Sequence, residues 1–259
     1  MLLIRRYFPI ATLAIAIAVL YLYNLDGVGV LGPDEPRYAA IGRAMAQTGD
    51  LVTPKLWGNS WFEKPPLLYW LTAAGTAFGL GPDLCGRLPV ALLSLLFLGL
   101  YLLLVRREFG GSVAVISTAL LGTSAGWIAF SSFCLTDLPL SVFFSLAVVL
   151  ALPLLRHEPD ARGLNITLGG IGLSLGLAVL AKGLVPIALA LPFVWFLRRY
   201  WRKWWLAVAA CLLAALPWYW AVYARNGFPF IEDFFLKHHF QRLYSASLAH
   251  VQPPYYYVP

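Results

Sequence analysis

The sequence predicts an all-α, polytopic transmembrane helical domain of about seven spans, with amphipathic juxtamembrane helices in its first outer loop. Three observations carry that prediction. Hydrophobic residues fill 60% and charged residues only 12% of the 259 positions, against about 45–50% and about 25% in average soluble proteins. The apolar residues fall in runs near the length of about 20 that a helix needs to cross a bilayer. The Lys and Arg residues gather on one side of those runs. An ordinary soluble domain is thereby excluded. Disorder is excluded too, because 10 Trp, 13 Tyr and 16 Phe are apolar surface that must be buried in protein or lipid.

The runs come in order. Arg5 and Arg6 precede residues 7–25, whose length makes them read as a retained first span. Residues 88–105, 112–130, 138–155, 164–181, 184–197 and 205–224 follow, the sixth run being short. Alternation from an inside amino terminus puts Arg5, Arg6, Arg106, Arg107, Arg156, Arg162, Arg198, Arg199, Arg202 and Lys203 inside, ten of the 19 basic residues. The net charge of +7 thus reports orientation, and no nucleic-acid partner is expected. Nine of the 12 acids fall on the other face: Asp26, Asp34, Glu35, Asp50, Glu63, Asp83, Asp137, Glu232 and Asp233. Acids contribute little to topology, so this accumulation calls for chemistry. Trp201, Trp204 and Trp205 suit an interfacial aromatic belt. Cys85, Cys134 and Cys211 are too scattered for a disulfide framework or a zinc knuckle.

Two outer segments are long enough to hold a site. In the first, residues 26–87, helices are predicted over 36–48, with Gly49 as stop signal, and over 65–78, opened by a proline pair. The second, residues 225–259, is polar and aromatic. Asp34 and Glu35 stand directly before the first of these helices. They are either N-caps, worth about 1 kcal/mol, or an active acid pair. Glu63 and Lys64 sit among aromatics at the next helix start. They are either a solvated ion pair of little worth or a place where an anion meets Lys64 and free backbone N–H groups. Asp137, in a short turn between spans, is an N-cap or a functional acid. Lys182 interrupts apolar sequence, to snorkel to headgroups or to meet a lipid phosphate. In 232–242, Asp233 precedes Lys237 by one helical turn, and His238, His239 and Arg242 add phosphate-binding capacity.

These residues resemble the motifs of the polytopic GT-C glycosyltransferases. Asp34-Glu35-Pro36-Arg37-Tyr38, Glu63-Lys64-Pro65-Pro66 leading into Tyr69-Trp70, Thr136-Asp137 and Ala181-Lys182-Gly183 occur in that family's order. His239-Phe240-Gln241-Arg242 is similar to its third outer loop. The likeness is strongest to the aminoarabinose lipid A transferases and the protein O-mannosyltransferases. It implies transfer of a sugar from a polyprenyl-phosphate-linked donor to a lipid, glycan or protein acceptor at the outer face of a bacterial-type inner membrane. It implies Asp34, Glu35, Glu63 and Asp137 as catalytic acids, and Lys64, Arg37, Lys182, His239 and Arg242 as substrate-binding residues. Glu63 with His239 resembles a pair that contacts a divalent metal in this group. Residues 1–259 would form the amino-terminal part of such a domain, with the family's carboxy-terminal remainder expected to be missing. The competing readings are a transporter or lipid-binding membrane protein, in which the acids line a solute path, and an inactive truncated transferase.

Overall fold

The computed structural model describes residues 2–27 and 29–241, with side chains from Thr12 to Lys237. Helix α1 (Leu2–Leu22) enters the bundle and is tied to it by Tyr21, whose hydroxyl donates to the Gly122 carbonyl at 2.8 Å. The segment that follows folds as α2 (Asp34–Thr48), a two-residue antiparallel ribbon of β1 (Lys55–Leu56) and β2 (Asn59–Ser60), and α3 (Leu67–Ala77). Both predicted surface helices are therefore present. The first ends as its sequence dictates: Gly49 takes the left-handed conformation (φ 71°) and its N–H closes on the Met45 carbonyl.

The bundle follows as α4 (Leu84–Phe109), α5 (Gly111–Gly122), α6 (Ala125–Ser131), α7 (Asp137–Arg156), α8 (Ala161–Lys182), α9 (Val185–Leu189), α10 (Leu191–Phe196), α11 (Trp204–Asn226) and α12 (Phe228–Ile231). A 3-10 turn (Arg198–Lys203) leads into α11, and a π-helical segment (Glu232–Gln241) follows α12. Among the described residues, four helices are long and apolar enough to cross a membrane, or five when α5 and α6, bent by 63°, count as one broken span. The chain is a multi-pass membrane protein. Its outward side chains agree: Leu96, Leu103, Leu120 and Leu213 are all exposed, which only lipid makes favourable.

The sixth predicted run departs from a regular span. Residues 185–196 form two short helices, each with a proline in its first turn. A proline has no N–H to give to the preceding turn and fits only at a helix start, so Pro192 begins a new helix instead of continuing α9. Twelve residues at about 1.5 Å each reach about 18 Å, well short of a bilayer core.

Helix α8 is the centre of the second half, between α7 and α11. Gly172 and Gly176, one turn apart, face α11 so closely that a Cβ on Gly172 would lie 2.0 Å from the Ala207 carbonyl oxygen, and one on Gly176 would lie 2.7 Å from that of Cys211. In lipid, where burial of apolar surface gives helices little reason to associate, such close backbone packing through small residues supplies the attraction.

Candidate active site

Helix α2 starts at Asp34 behind Pro33, and no side chain caps it. The capping reading of Asp34 thus fails. Three residues on, Arg37 lies on the same helix face, and its Nη1 is shared between Asp34 Oδ1 at 3.3 Å and Glu63 Oε2 at 3.1 Å. The other Glu63 oxygen lies 3.4 Å from Lys64 Nζ. Acid, base, acid and base therefore alternate across the gap between α2 and the start of α3. The Arg37 guanidinium also stands 5.2 Å from the Trp61 ring centroid, an added cation–π contact. Along this row the side chains become progressively hidden: Asp34 is 50% exposed, Arg37 28% and Glu63 only 7%. Asp34 is open to its surroundings, while Glu63 lies at the back.

Glu35, the neighbour of Asp34, turns away from this row. Its Oε1 accepts from Arg87 Nε at 2.7 Å and from the Cys134 N–H at 3.0 Å, and its Oε2 accepts from Arg87 Nη2 and the Leu31 N–H, both at 2.7 Å. Arg87 also donates to the Leu25 and Gly29 carbonyls at 2.8 and 3.1 Å. Burial alone would raise the Glu35 pKa, but the Arg87 hydrogen bonds and the Cys134 and Leu31 N–H groups outweigh it and hold the carboxyl below its ordinary range. A carboxylate has about four lone-pair sites, and all of them are filled. Glu35, expected beside Asp34 as a catalytic acid, thus ties α2 to Arg87 of α4 and to the backbone at Leu31 and Cys134.

Asp137 opens α7 without capping it, and its Oδ1 meets Lys182 Nζ, the last residue of α8, at 2.5 Å. Two residues singled out separately in the sequence are thus one ion pair, with the acid at a helix start and the base at a helix end, as both macrodipoles favour. Tyr38 connects this pair to the row. Burial pushes its phenol well above the ordinary tyrosine range, and the negative charges of Glu63, Asp34 and Asp137 push in the same direction. All three acids therefore lie within electrostatic reach of one hydroxyl.

The loop before the ribbon is held by donors from both sides. Trp70 Nε1 gives to the Leu51 carbonyl at 2.8 Å, and Trp218 Nε1 to that of Val52 at 3.0 Å. Arg225 Nη1 reaches Asp50 Oδ1 at 2.9 Å, and Asn226 Nδ2 reaches Thr53 Oγ1 at the same distance. These bonds join the carboxy-terminal end of α11 to the segment carrying Glu63 and Lys64. His239 and Arg242 cannot be placed in the site: the His239 side chain and the whole of Arg242 lie outside the described residues. Among the described residues no three His, Cys, Asp or Glu side chains come together as a metal would require. The expected pairing of Glu63 with His239 at a divalent metal lies outside the described residues, because the His239 side chain does.

A sequence profile for the family described as dolichyl-phosphate-mannose-protein mannosyltransferase matches residues 8–228. The chain belongs to that family. It is 37% identical to the undecaprenyl phosphate-alpha-4-amino-4-deoxy-L-arabinose arabinosyl transferase of Pseudomonas aeruginosa strain LESB58, over 95% of this chain and 46% of that protein. It is 31% identical to the transferase of the same name from Edwardsiella ictaluri, over 96% of this chain and 46% of that protein. The crystal structure of ArnT from Cupriavidus metallidurans bound to undecaprenyl phosphate superposes with a TM-score of 0.81 at 32% identity, over 91% of this chain and 45% of that one. The chain spans about half the length of the curated relatives it matches. The GT-C resemblance read from the motifs agrees with all of these.

Within this mannosyltransferase-family fold, three polar residues of the site region had been given no role of their own by the sequence. Arg87 looked like the last loop residue before a span, and nothing in the spacing links it to Glu35, 52 positions away. Tyr69 Oη and Trp61 Nε1 are buried without a hydrogen-bond partner, and Tyr69 sits with its ring 6.0 Å from that of Tyr38. Unpaired buried donors are uncommon and invite a ligand or water.

Proposed function

We propose that this mannosyltransferase-family chain forms the amino-terminal part of a GT-C active site that moves a sugar from a polyprenyl-phosphate donor to a lipid, glycan or protein acceptor, at the outer face of a bacterial inner membrane. The observation that carries the reading is the single nitrogen, Arg37 Nη1, held between Asp34 and Glu63 beside Lys64. Each cation in that row is matched by a carboxylate. A donor phosphate, doubly capable of accepting hydrogen bonds, competes with Asp34 and Glu63 for Arg37 and Lys64, and Arg is the residue best shaped to hold it. As Arg37 moves to the phosphate, Asp34 loses its partner and becomes a better base.

The transfer follows from those positions. The bond from the anomeric carbon to the phosphate oxygen breaks, and its electron pair stays on the phosphate, where Arg37 and Lys64 stabilise the added charge. The acceptor hydroxyl oxygen bonds to the anomeric carbon, and its proton passes to Asp34. Glu63 keeps Arg37 and Lys64 oriented from behind, and the Asp137–Lys182 pair adds a second charged group whose acid lies within electrostatic reach of Tyr38. The polyprenyl-phosphate class is supported by the undecaprenyl phosphate bound to the similar ArnT. A transporter would set its ionisable groups at mid-span on discontinuous helices, whereas these acids stand at helix starts.

The test is direct. The full chain reconstituted in bilayers should bind undecaprenyl phosphate, and Lys64→Ala should weaken that binding. Failure of the wild-type chain to bind it would overturn this reading in favour of an inactive scaffold. Reporter fusions after Arg107 and after Arg225 should localise to opposite faces, with the second outside; the same face for both would reject the outer-face assignment.

A further inference from the structure

At the end of the bundle opposite the acids, the shortness of α9 and α10 leaves a hollow against the last turns of α7. It is an apolar cavity of roughly 230 Å³ walled by Val148, Leu152 and Leu155 on one side and Leu189, Phe193 and Phe196 on the other. The two chain segments that form it end in charge. Arg156 directly follows Leu155 at the end of α7, and Arg198 directly follows Leu197, another wall residue, at the start of the 3-10 turn. That turn reads Arg-Arg-Tyr-Trp-Arg-Lys.

The cations divide into two kinds. Arg199 is committed to the backbone, donating to the Leu154 carbonyl and to that of His157 at 3.0 Å, and Lys203 donates to Asn165 Oδ1 at 3.0 Å. Arg156 lies over the Phe109 ring at 4.4 Å. Arg198 and Arg202 are exposed and, among the described residues, no carboxylate pairs with either. Their recorded partners are aromatic faces: Trp195 under Arg198 at 4.2 Å and Trp201 under Arg202 at 5.6 Å. Trp195 and Trp201 are themselves 67% and 64% exposed. A guanidinium lying on an indole keeps its edge N–H groups free for the oxygens of a phosphate, and exposed indoles mark the headgroup level of a membrane.

From a dry groove that opens beside two unneutralised, pre-oriented guanidiniums, we propose that this end of the bundle is a binding site for an anionic phospholipid. An acyl chain fills the groove against α7 and α10, while the phosphodiester sits on Arg198 and Arg202. A free phosphate lacks the chain and a zwitterionic lipid lacks the net charge, so both are poorer occupants. The site is independent of the donor chemistry at the other end, about 30 Å away along the 20 residues of α7.

The experiment uses the full chain, purified in detergent and offered dioleoyl phosphatidylglycerol, dioleoyl phosphatidylcholine or inorganic phosphate, with bound lipid counted by native mass spectrometry. The wild-type chain should retain phosphatidylglycerol in clear preference. The double variant Arg198→Gln, Arg202→Gln should lose about thirtyfold in retention, the effect of removing two interfacial charges. The Arg198→Lys, Arg202→Lys variant, which keeps the charge, should keep most of the preference. Val148→Trp, at an exposed wall position, should reduce retention by closing the groove. Equal retention of the two lipids would overturn the proposal. So would an unchanged Gln variant, displacement by millimolar inorganic phosphate, or displacement by undecaprenyl phosphate, which would make the groove a donor site.

Discussion

Asp34 and Glu35 are adjacent in sequence, carry the same charge, and have opposite fates. One helical position is about 100° of rotation. It takes Asp34 to the open face of α2, where its only recorded partner is a guanidinium shared with Glu63, and takes Glu35 into protein, where four donors surround it. The open carboxylate has a partner that a phosphate can take away. The enclosed one has partners that nothing can reach. The acidic pair is thus two devices: an open carboxylate, to which the proposed transfer gives the proton, and an enclosed one that holds the start of α2 in place.

The most severe way to break that distinction is Arg87→Ala. It leaves Glu35 buried and uncompensated and should cost about 3–5 kcal/mol of stability, seen as a large drop in thermal midpoint in detergent or as loss of folded protein. The same contact has a pH signature. The Glu35 pKa is lowered in the folded chain, so its stabilisation is fully present above the unfolded carboxyl value of about 4.3. It drains away as pH falls through the lower folded value, and Glu35→Gln should flatten that acid limb of a melting-temperature profile. Asp34→Asn should do the reverse: stability should stay within about 0.5 kcal/mol of wild type. Sugar transfer, measured in a protein form that supports it, should fall about a hundredfold or more, with donor binding kept. A large stability loss in Asp34→Asn would erase the contrast between the two acids. Lys64→Ala should weaken undecaprenyl-phosphate binding by about tenfold to a hundredfold, the worth of one charge-assisted hydrogen bond, read by titration calorimetry or lipid competition. Tyr69→Phe is the smallest. Removing a buried hydroxyl that lacks a partner should be neutral or stabilise the empty chain by about 1 kcal/mol. If the hydroxyl serves the ligand, the same change lowers donor or acceptor affinity, which a melting curve with and without undecaprenyl phosphate separates.

The span-forming runs and both surface helices were legible because they depend on local periodicity and on punctuation such as Gly49. The pairing of charges was not. Asp137 and Lys182 stood out as costly ionisable residues, but their contact needs α7 and α8 to lie antiparallel side by side, a tertiary fact that spacing does not encode. The ribbon was hidden for a different reason. Its turn places Trp57 and Gly58 both at positive φ, 52° and 85°, a two-residue hairpin geometry that favours Asn or Gly, and a tryptophan there gives no turn signal. The broken sixth run was marked by Pro186 and Pro192, yet an unbroken apolar run outweighed them on composition. The adjacency of Asp34 and Glu35 suggested a joint role, whereas the 100° step between them assigns each its own.

The glycine notches of α8 also restrict how the domain can move. Gly172 and Gly176 each receive α11 backbone, the carbonyls of Ala207 and Cys211, so α11 cannot slip along α8 by a fraction of a turn without driving a carbonyl into a helix wall. The two helices are geared together. Lys182 at one end of α8 and Arg225 at the same end of α11 therefore travel as a single body, and with them the loop that Arg225 and Trp218 hold. Residues 185–196, by contrast, contain no glycine to receive a neighbouring backbone in this way, and their two short, proline-started helices connect two rods that are themselves locked in register.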